Sequence, residues 1–241
     1  MTCPVCGCNE EPEFIKMHGG FRILRCTACS VVFSDPMKNP GAEWYERSEG
    51  YAVGKLRFMK ASWFHRVFLE EPALYGESLL DVGCGTGLFL NEAGKKGYRT
   101  WGIDFDRENI RIARERYGLK NVYVMSIEDI AREFKDRRFD VVTFFEVLEH
   151  LDEPLEFLRK VKTVLKPGGY IALSVPNRRR TLDIHGIEDN PPHHLTKWDM
   201  DSLTGFLESN GFETVKRVVK TLDREDVAGV LKAKIDRKSV V

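Results

Sequence analysis

Leu79-Leu80-Asp81-Val82-Gly83-Cys84-Gly85-Thr86-Gly87 decides the fold, together with Gly102-Ile103-Asp104 one helix-length further on. The apolar run Leu79 to Val82 suits a buried strand. Glycines at alternate positions then let the backbone turn tightly and approach a ligand with no side chain in the way. Leu88 to Gly97 reads as a helix. Asp104 closes the next apolar run, the place at which a carboxylate can hold a ribose diol.

A glycine-rich strand-to-helix turn also serves nicotinamide and flavin enzymes, where G-x-G-x-x-G grips a pyrophosphate on a helix N-terminus. The spacing here is G-x-G-x-G, and Asp81 precedes it. An acid at that point repels a pyrophosphate and suits an ammonium group.

The segment resembles motif I of the class I S-adenosylmethionine-dependent methyltransferases. Asp104 is then similar to that family's ribose-binding acid, and Phe139-Asp140-Val141-Val142-Thr143-Phe144-Phe145 to its fourth strand. Leu165-Lys166-Pro167-Gly168-Gly169 followed by Tyr170 to Val175 resembles the turn into the fifth strand. The resemblance runs from about Leu79 to about Lys220 with its motifs in order. It implies an α/β fold, a doubly wound, mostly parallel Rossmann-like sheet. It also implies a cofactor site at Asp81, Gly83, Cys84, Gly85, Gly87, Asp104, Phe105, Ile127 and Phe145.

The rest of the central region alternates strand-like and helix-like units, the rhythm of a parallel sheet. Strands are expected at Arg99–Asp104, Val122–Met125 and Phe139–Phe145, and helices at Arg107–Tyr117, Ile127–Phe134 and Pro154–Leu165. A polar loop with Arg178, Arg179 and Arg180, read as a solvated turn, then leads through Pro191-Pro192-His193-His194. A helix at about Met200–Ser209 and a strand at Phe212–Val219 follow. Asp223 to Lys238 reads as charged and weakly helical, so a seventh strand is not evident.

Four of six cysteines form two C-x-x-C knuckles, Cys3-Pro4-Val5-Cys6 and Cys26-Thr27-Ala28-Cys29. That pairing is the spacing of a four-thiolate zinc ribbon, in which metal replaces a core too small to hold itself together. Iron in a rubredoxin-like site uses the same ligands, and disulfides are the competing explanation. Cys8 and Cys84 are left over, and His18 reads as a surface loop residue.

The domain boundaries expected are a ribbon at 1–35, a linker and helical cap at 36–74, a cofactor-binding domain at 75–220 and a charged tail at 221–241. The turn formers Ser34-Asp35-Pro36 to Pro40-Gly41 mark the first boundary. Ribbon and cofactor domain are expected to be stabilised separately, so that losing the metal loosens residues 1–35 alone. In the cap, Leu56, Met59, Trp63, Val67 and Phe68 recur at helical spacing. Trp63 is assigned to packing. Trp44, Tyr45 and Tyr51 remain open as lid or substrate contacts, and His65 and His185 carry no functional context.

After the fourth strand come Glu146-Val147-Leu148-Glu149-His150. Two carboxylates and an imidazole at i, i+3 and i+4 share one face if the segment is helical, a candidate site for a divalent cation. The order resembles the metal-binding triad of ubiquinone-pathway O-methyltransferases and of small-RNA 2′-O-methyltransferases. In the RNA enzymes a histidine four residues before a tryptophan completes the site, and His194-Leu195-Thr196-Lys197-Trp198 has that spacing. The resemblance therefore makes Glu146, Glu149, His150 and His194 the candidate catalytic set. The alternative is a metal-free general base at His150, with His193 and His194 lining a pocket.

Lys plus Arg and Asp plus Glu number 37 each in 241 residues, so no global field draws the chain to nucleic acid or membrane. An apolar content of 42% suffices for a substantial core. Apolar stretches are strand-sized and the N-terminus lacks a signal-peptide pattern, which gives a cytoplasmic expectation. A small-molecule or sugar acceptor, methylated on oxygen, is the leading reading. Layouts with a zinc site also resemble a ribosomal RNA methyltransferase. Residues 1–35 carry Lys16, Arg22 and Arg25 against Glu10, Glu11, Glu13 and Asp35, no net basic face for RNA. A non-catalytic adaptor acting through the ribbon is the reading from another class.

Overall fold

The computed structural model describes residues 1–41, 44, 61–71, 76–135, 137–179, 189–219 and 228–235, the last stretch as backbone only. Contacts divide the chain into two units. One comprises Met1–Pro40, Glu146–Arg159 and Leu173–Ala233, the other Gly41–Phe145, Lys160–Ala172 and Lys234–Val241.

The second unit carries strands β4 (Ser78–Val82), β5 (Arg99–Asp104), β6 (Val122–Val124) and β7 (Phe139–Phe145), and the start of β8 (Leu165–Pro176), in the order β8-β7-β4-β5-β6. β4 pairs in parallel with both β5 and β7, and β5 with β6. Every residue of β4 is buried, and Val141, Val142 and Phe144 of β7 are wholly so, as a parallel sheet covered on both faces requires. Helices α1 (Trp63–Glu70), α2 (Leu88–Lys95), α3 (Arg107–Tyr117) and α4 (Ile127–Glu133) belong to the same unit. α3 starts where the Asp106 side chain accepts from the N–H groups of Glu108 and Asn109, and α4 starts on a Ser126/Asp129 capping box. α1 buries Phe64 and Phe68. Leu56, Met59, Tyr45, Tyr51, Arg180 and His185 lie outside the described residues.

In the first unit, β1 (Glu13–His18), β2 (Phe21–Arg25), β3 (Val32–Asp35) and β9 (Thr196–Lys197) form an antiparallel sheet in that order. β3 meets β9 with Val32 opposite Lys197 and Phe33 opposite Thr196. The sheet of the cysteine-bearing segment is therefore completed by a strand from far along the chain. Sequence spacing reports the knuckles but carries no signal for a two-residue strand. His18 ends β1 and does not lie in a loop.

Helix α5 (Pro154–Val164) precedes β8, and α6 (Met200–Ser209) begins on a capping box made by Asp199 and Ser202. The three-arginine segment is not simply solvated: Arg178 and Arg179 both pair with the buried carboxylate of Asp199. β10 (Phe212–Val219) has β11 (Ala228–Ile235) as its neighbour. A strand thus stands where weak helix was expected, and Leu231-Lys232-Ala233-Lys234-Ile235 does alternate with period two. The charge count had hidden that alternation. No helix among the described residues is long and apolar enough to cross a membrane.

Gly87 and Gly118 separate two reasons for glycine. Both have left-handed backbone, but a Cβ on Gly87 would lie 2.6 Å from Leu119 Cδ1 and 2.8 Å from Ala113 Cβ, whereas one on Gly118 would meet nothing within 4 Å. Gly118→Ala should cost about 1–2 kcal/mol from backbone strain alone. Gly87→Ala should cost roughly 1–3 kcal/mol more through overpacking, read from urea denaturation midpoints. Equal losses would remove the close-approach explanation.

Candidate functional site

The glycine turn is held by backbone and by one carboxylate. The N–H groups of Gly83 and Cys84 both donate to the carbonyl of Ile103, at 2.8 and 3.0 Å. Gly85 N–H donates to Asp104 Oδ2 at 2.8 Å, and Asp106 N–H to Asp104 Oδ1 at 2.8 Å. Each Asp104 oxygen thus accepts one backbone N–H, and the Asn109 side chain is a further donor to the carboxylate. Burial pushes the Asp104 carboxyl up, against the pull of its two backbone donors.

Gly83, Gly85 and Gly87 all have positive φ, at 73°, 52° and 80°. Gly83 is exposed, while Asp81 and Cys84 on either side of it are buried. Asp81 accepts from the Thr143 hydroxyl at 2.6 Å, and burial raises its pKa to about 8. Cys84 is pushed up by burial and by the charges of Asp104 and Asp81, so it is an inert filler.

Of the remaining expected cofactor contacts, Phe105 is 49% exposed although it follows a buried strand, while Ile127 is buried at the start of α4. Phe145 belongs to an aromatic cluster, its ring centroid 5.4 Å from Phe64 and 5.2 Å from Phe89. His65 was not expected to matter, yet it stacks on Phe89 at 4.9 Å with its Nδ1 buried and unpartnered. Burial lowers its pKa to about 3, so it stays neutral. One histidine in an apolar helix gives no sequence signal of such a setting.

Glu146 follows Phe145 directly in the chain and takes a left-handed backbone at φ 54°. A short 3-10 helix then covers Leu148–His150. Glu146 therefore precedes the helix and does not belong to it, its N–H donating to the Ser174 carbonyl and its Oε1 accepting from the Ser174 hydroxyl at 2.7 Å. A left-handed non-glycine residue is strained and persists only where its surroundings hold it.

What the fold brings together is His150, His193 and His194, with one ring nitrogen from each within 4.8 Å of the others. His150 Nδ1 lies 2.8 Å from the carbonyl of His193, an acceptor only, so Nδ1 carries the proton and Nε2 keeps its lone pair. Burial, then the neighbouring His194 and His193, hold His150 well below the usual imidazole range. His194 Nδ1 faces Asp189 Oδ1 at 3.2 Å, which orients that ring. Asp189, five residues before His194, was not singled out in the sequence.

Glu149 is 1% exposed, and neither carboxylate oxygen has a hydrogen-bond partner. Its Oε1 is 3.9 Å from His150 Nε2, too far for a hydrogen bond. Burial, then the charge of Glu146, raises its pKa well above the ordinary carboxyl value.

The second cluster is Cys3, Cys6, Cys26 and Cys29, whose sulfurs also lie within 4.8 Å of one another. Cys3 Sγ to Cys29 Sγ is 3.8 Å and Cys6 Sγ to Cys26 Sγ is 3.6 Å. A tetrahedral zinc with bonds of about 2.3 Å needs sulfurs roughly 3.8 Å apart, so the donor set fits the ion. The four are free thiols, and Cys8 stands outside the cluster with its sulfur accepting from Glu10 N–H.

A parallel sheet with a glycine turn after β4 and an acid at the end of β5 defines the Rossmann-like fold of S-adenosylmethionine-dependent methyltransferases. The chain belongs to the methyltransferase domain family, which matches residues 53–217. It is 38% identical over 116 residues to a ubiquinone biosynthesis O-methyltransferase of Vibrio vulnificus, covering 46% of this chain and 49% of that protein. The chain thus spans about half the length of the curated relatives it matches. Among solved structures, a complex between the Haloferax volcanii Trm112 methyltransferase activator and a putative methyltransferase aligns with a TM-score of 0.65 at 16% identity, over 80% of this chain and 97% of that one. Magnesium protoporphyrin IX methyltransferase from Synechocystis PCC 6803 aligns with a TM-score of 0.59 at 16% identity, over 80% and 97%. At these identities the two structures share the fold.

Asp81 gives a pH signature. Its folded pKa of about 8 lies above the ordinary 3.8, so the native state holds a proton that the unfolded chain releases. Its stabilising contribution is complete below about pH 4 and is lost as pH rises through about 8. Urea denaturation of the protein alone should show stability falling over that window, with a shallower fall in Asp81→Asn. An unchanged slope in the variant would place the buried proton elsewhere.

Proposed function

We propose that this protein transfers a methyl group from S-adenosylmethionine to an oxygen of a small molecule, with His150 as the base. The observation that carries the choice of residue is the fixed tautomer: His150 donates through Nδ1 to the His193 carbonyl, which makes Nε2 the unprotonated nitrogen of the ring. Family membership and the ubiquinone-pathway relatives support methyl transfer to oxygen. S-adenosylmethionine supplies an electrophilic methyl on sulfonium sulfur.

The chain's own part is mostly orientation. In this reading Asp104 holds the ribose diol, Asp81 meets the amino group, Phe105 and Ile127 flank the base, and Phe145 lies towards the methionine portion. Such placement can supply several kcal/mol of the barrier reduction without any covalent help. His150 is held neutral by burial, so it accepts the hydroxyl proton of the acceptor as the oxygen attacks. His194, braced by Asp189, and His193 complete the wall around that proton. Glu146 and Ser174 hold the turn that starts this segment.

A second reading is favoured by one observation, the buried carboxylate of Glu149, without a hydrogen-bond partner, 3.9 Å from His150, one of three clustered imidazoles. His150, His193 and His194 with Glu149 would hold a divalent cation, whose Lewis acidity would serve the acceptor oxygen. This ligand set differs from the one the sequence implied, since His193 joins and Glu146 is engaged by Ser174. A nitrogen-rich set suits zinc, iron or cobalt over magnesium.

The ribbon argues against an RNA acceptor. Arg22 pairs with Asp35 and Arg25 with Glu13 on adjacent strands, which removes two of the ribbon's basic groups from any phosphate-binding field. Zinc is the proposed occupant of the four-cysteine site.

The test uses labelled methyl donor with the cell-extract fraction, small molecule, lipid, protein or RNA, that accepts label. His150→Ala should lower turnover by about 100-fold or more with donor affinity nearly unchanged. A chelator too weak to strip the ribbon abolishes turnover if the cation is present, and Glu149→Gln then fails as well. Indifference to both leaves His150 as a metal-free base. Full turnover in His150→Ala would sink both readings, and label entering RNA would overturn the small-molecule acceptor.

A further inference from the structure

The segments that carry the histidines are tied to the ribbon by named hydrogen bonds. Ser34 N–H, at the end of β3, donates to the Leu195 carbonyl at 2.9 Å, and Leu195 N–H donates to the Glu149 carbonyl at 2.8 Å. One peptide residue, next to His194, is therefore bonded on one side to the ribbon and on the other to the 3-10 helix that bears His150. Asn39, just beyond β3, adds a strap: its side-chain Nδ2 donates to the His150 carbonyl at 2.8 Å, and its backbone N–H donates to Asp152. β9 has only two residues, and its ladder partner is β3. A strand that short does not hold its place alone.

β3 in turn depends on the second knuckle. Arg25 and Val32, the last residue of β2 and the first of β3, are paired across it. Cys26 N–H donates to the Val31 carbonyl at 3.0 Å, and Ser30 N–H to the Cys26 carbonyl at 3.0 Å. The loop that joins β2 to β3 is thus the loop that presents Cys26 and Cys29. The apolar residues buried in 1–35 are Val5, Ile23, Leu24, Val31, Val32 and Phe33 with Cys3 and Cys26, a small core of the kind that a bound metal stabilises. By contrast, the bonds that hold the cofactor turn, from Gly83, Cys84 and Gly85 to Ile103 and Asp104, all lie within residues 41–145 and involve no ribbon residue.

We infer that the metal-bound ribbon is a positioning element for the histidine cluster, acting through β3, Leu195 and Asn39. The four cysteines are then neither an independent module nor a separate binding head. Metal at the knuckles fixes β3, β3 fixes Thr196-Lys197 and Leu195, and these set where His194 and His150 stand. The functional weight of this rests on the reading of His150 as base or ligand, but the mechanical coupling does not, and its test reads the coupling alone.

The experiment compares amide hydrogen exchange in the full-length zinc-loaded protein, in Cys26→Ser, and in Asn39→Ala, with metal content and S-adenosylhomocysteine affinity measured on each. Cys26→Ser should lose about one zinc per chain and exchange at least tenfold faster in peptides covering 146–153 and 193–199, as well as in 1–35. Peptides covering 79–104 should keep their protection, and the product affinity should stay within about twofold. Asn39→Ala should retain zinc and protection in 1–35 yet exchange faster in 148–152, a pattern that general loosening of the ribbon would not give. Asn39→Asp, which keeps an acceptor but not the donor, should fail to restore protection, whereas Asn39→Gln should restore part of it. Faster exchange confined to 1–35 in Cys26→Ser, with 146–153 and 193–199 unchanged, would overturn the inference. Loss of methyl transfer to every acceptor with the exchange pattern intact would count against the proposed function and leave the coupling standing.

Discussion

The carboxylate of Asp104 is the constraint on which the cofactor half of the molecule depends. It accepts from Gly85 on one oxygen and from Asp106 on the other, so a single side chain ties the glycine turn after β4 to the start of α3. The turn can take this shape because its glycines accept left-handed backbone, and it is pinned because Gly83 and Cys84 bond to the Ile103 carbonyl just before Asp104. Three successive N–H groups, one carbonyl and one carboxylate thereby fix the shape of the turn. Asp81, buried with Thr143 as its donor, adds a second acid whose charge is suppressed until a cation meets it.

The histidine half is built on a different principle. No long strand or helix carries His150, His193 or His194. They stand on a 3-10 turn after a left-handed glutamate and on a loop that ends in a two-residue strand. Segments of this kind have little intrinsic stability, so their geometry comes from what they are bonded to. Here those partners are Ser174 for Glu146, Asp189 for His194, and the ribbon for Leu195 and the His150 carbonyl.

The central fold was legible because its signals are periodic and local. Arg107–Tyr117, Phe139–Phe145, Met200–Ser209 and Phe212–Val219 lie where alternation and capping residues put them. The misses share a cause. β11 was masked by lysines on a real period-two pattern, and the turn read at Leu165–Gly169 is instead the kinked start of β8, with Gly168 at φ 74°. β9 and the strap at Asn39 are long-range pairings that no single window of sequence contains. At the candidate site, the sequence named Glu146, Glu149, His150 and His194, with His193 as a pocket residue; the fold clusters His150, His193 and His194 and sets Glu149 3.9 Å from His150. It could not show the left-handed backbone of Glu146, because a positive φ at a glutamate is imposed by tertiary context rather than by propensity.

The account stands on what the glycine turn and Asp104 bind, and calorimetry of the purified protein tests that most directly. S-adenosylhomocysteine should bind in a simple one-site titration, and Asp104→Asn should weaken it by about tenfold or more, the loss of a charge-assisted hydrogen bond of roughly 1.5–3 kcal/mol. Tight binding of a nicotinamide dinucleotide, with no heat from S-adenosylhomocysteine, would contradict the account.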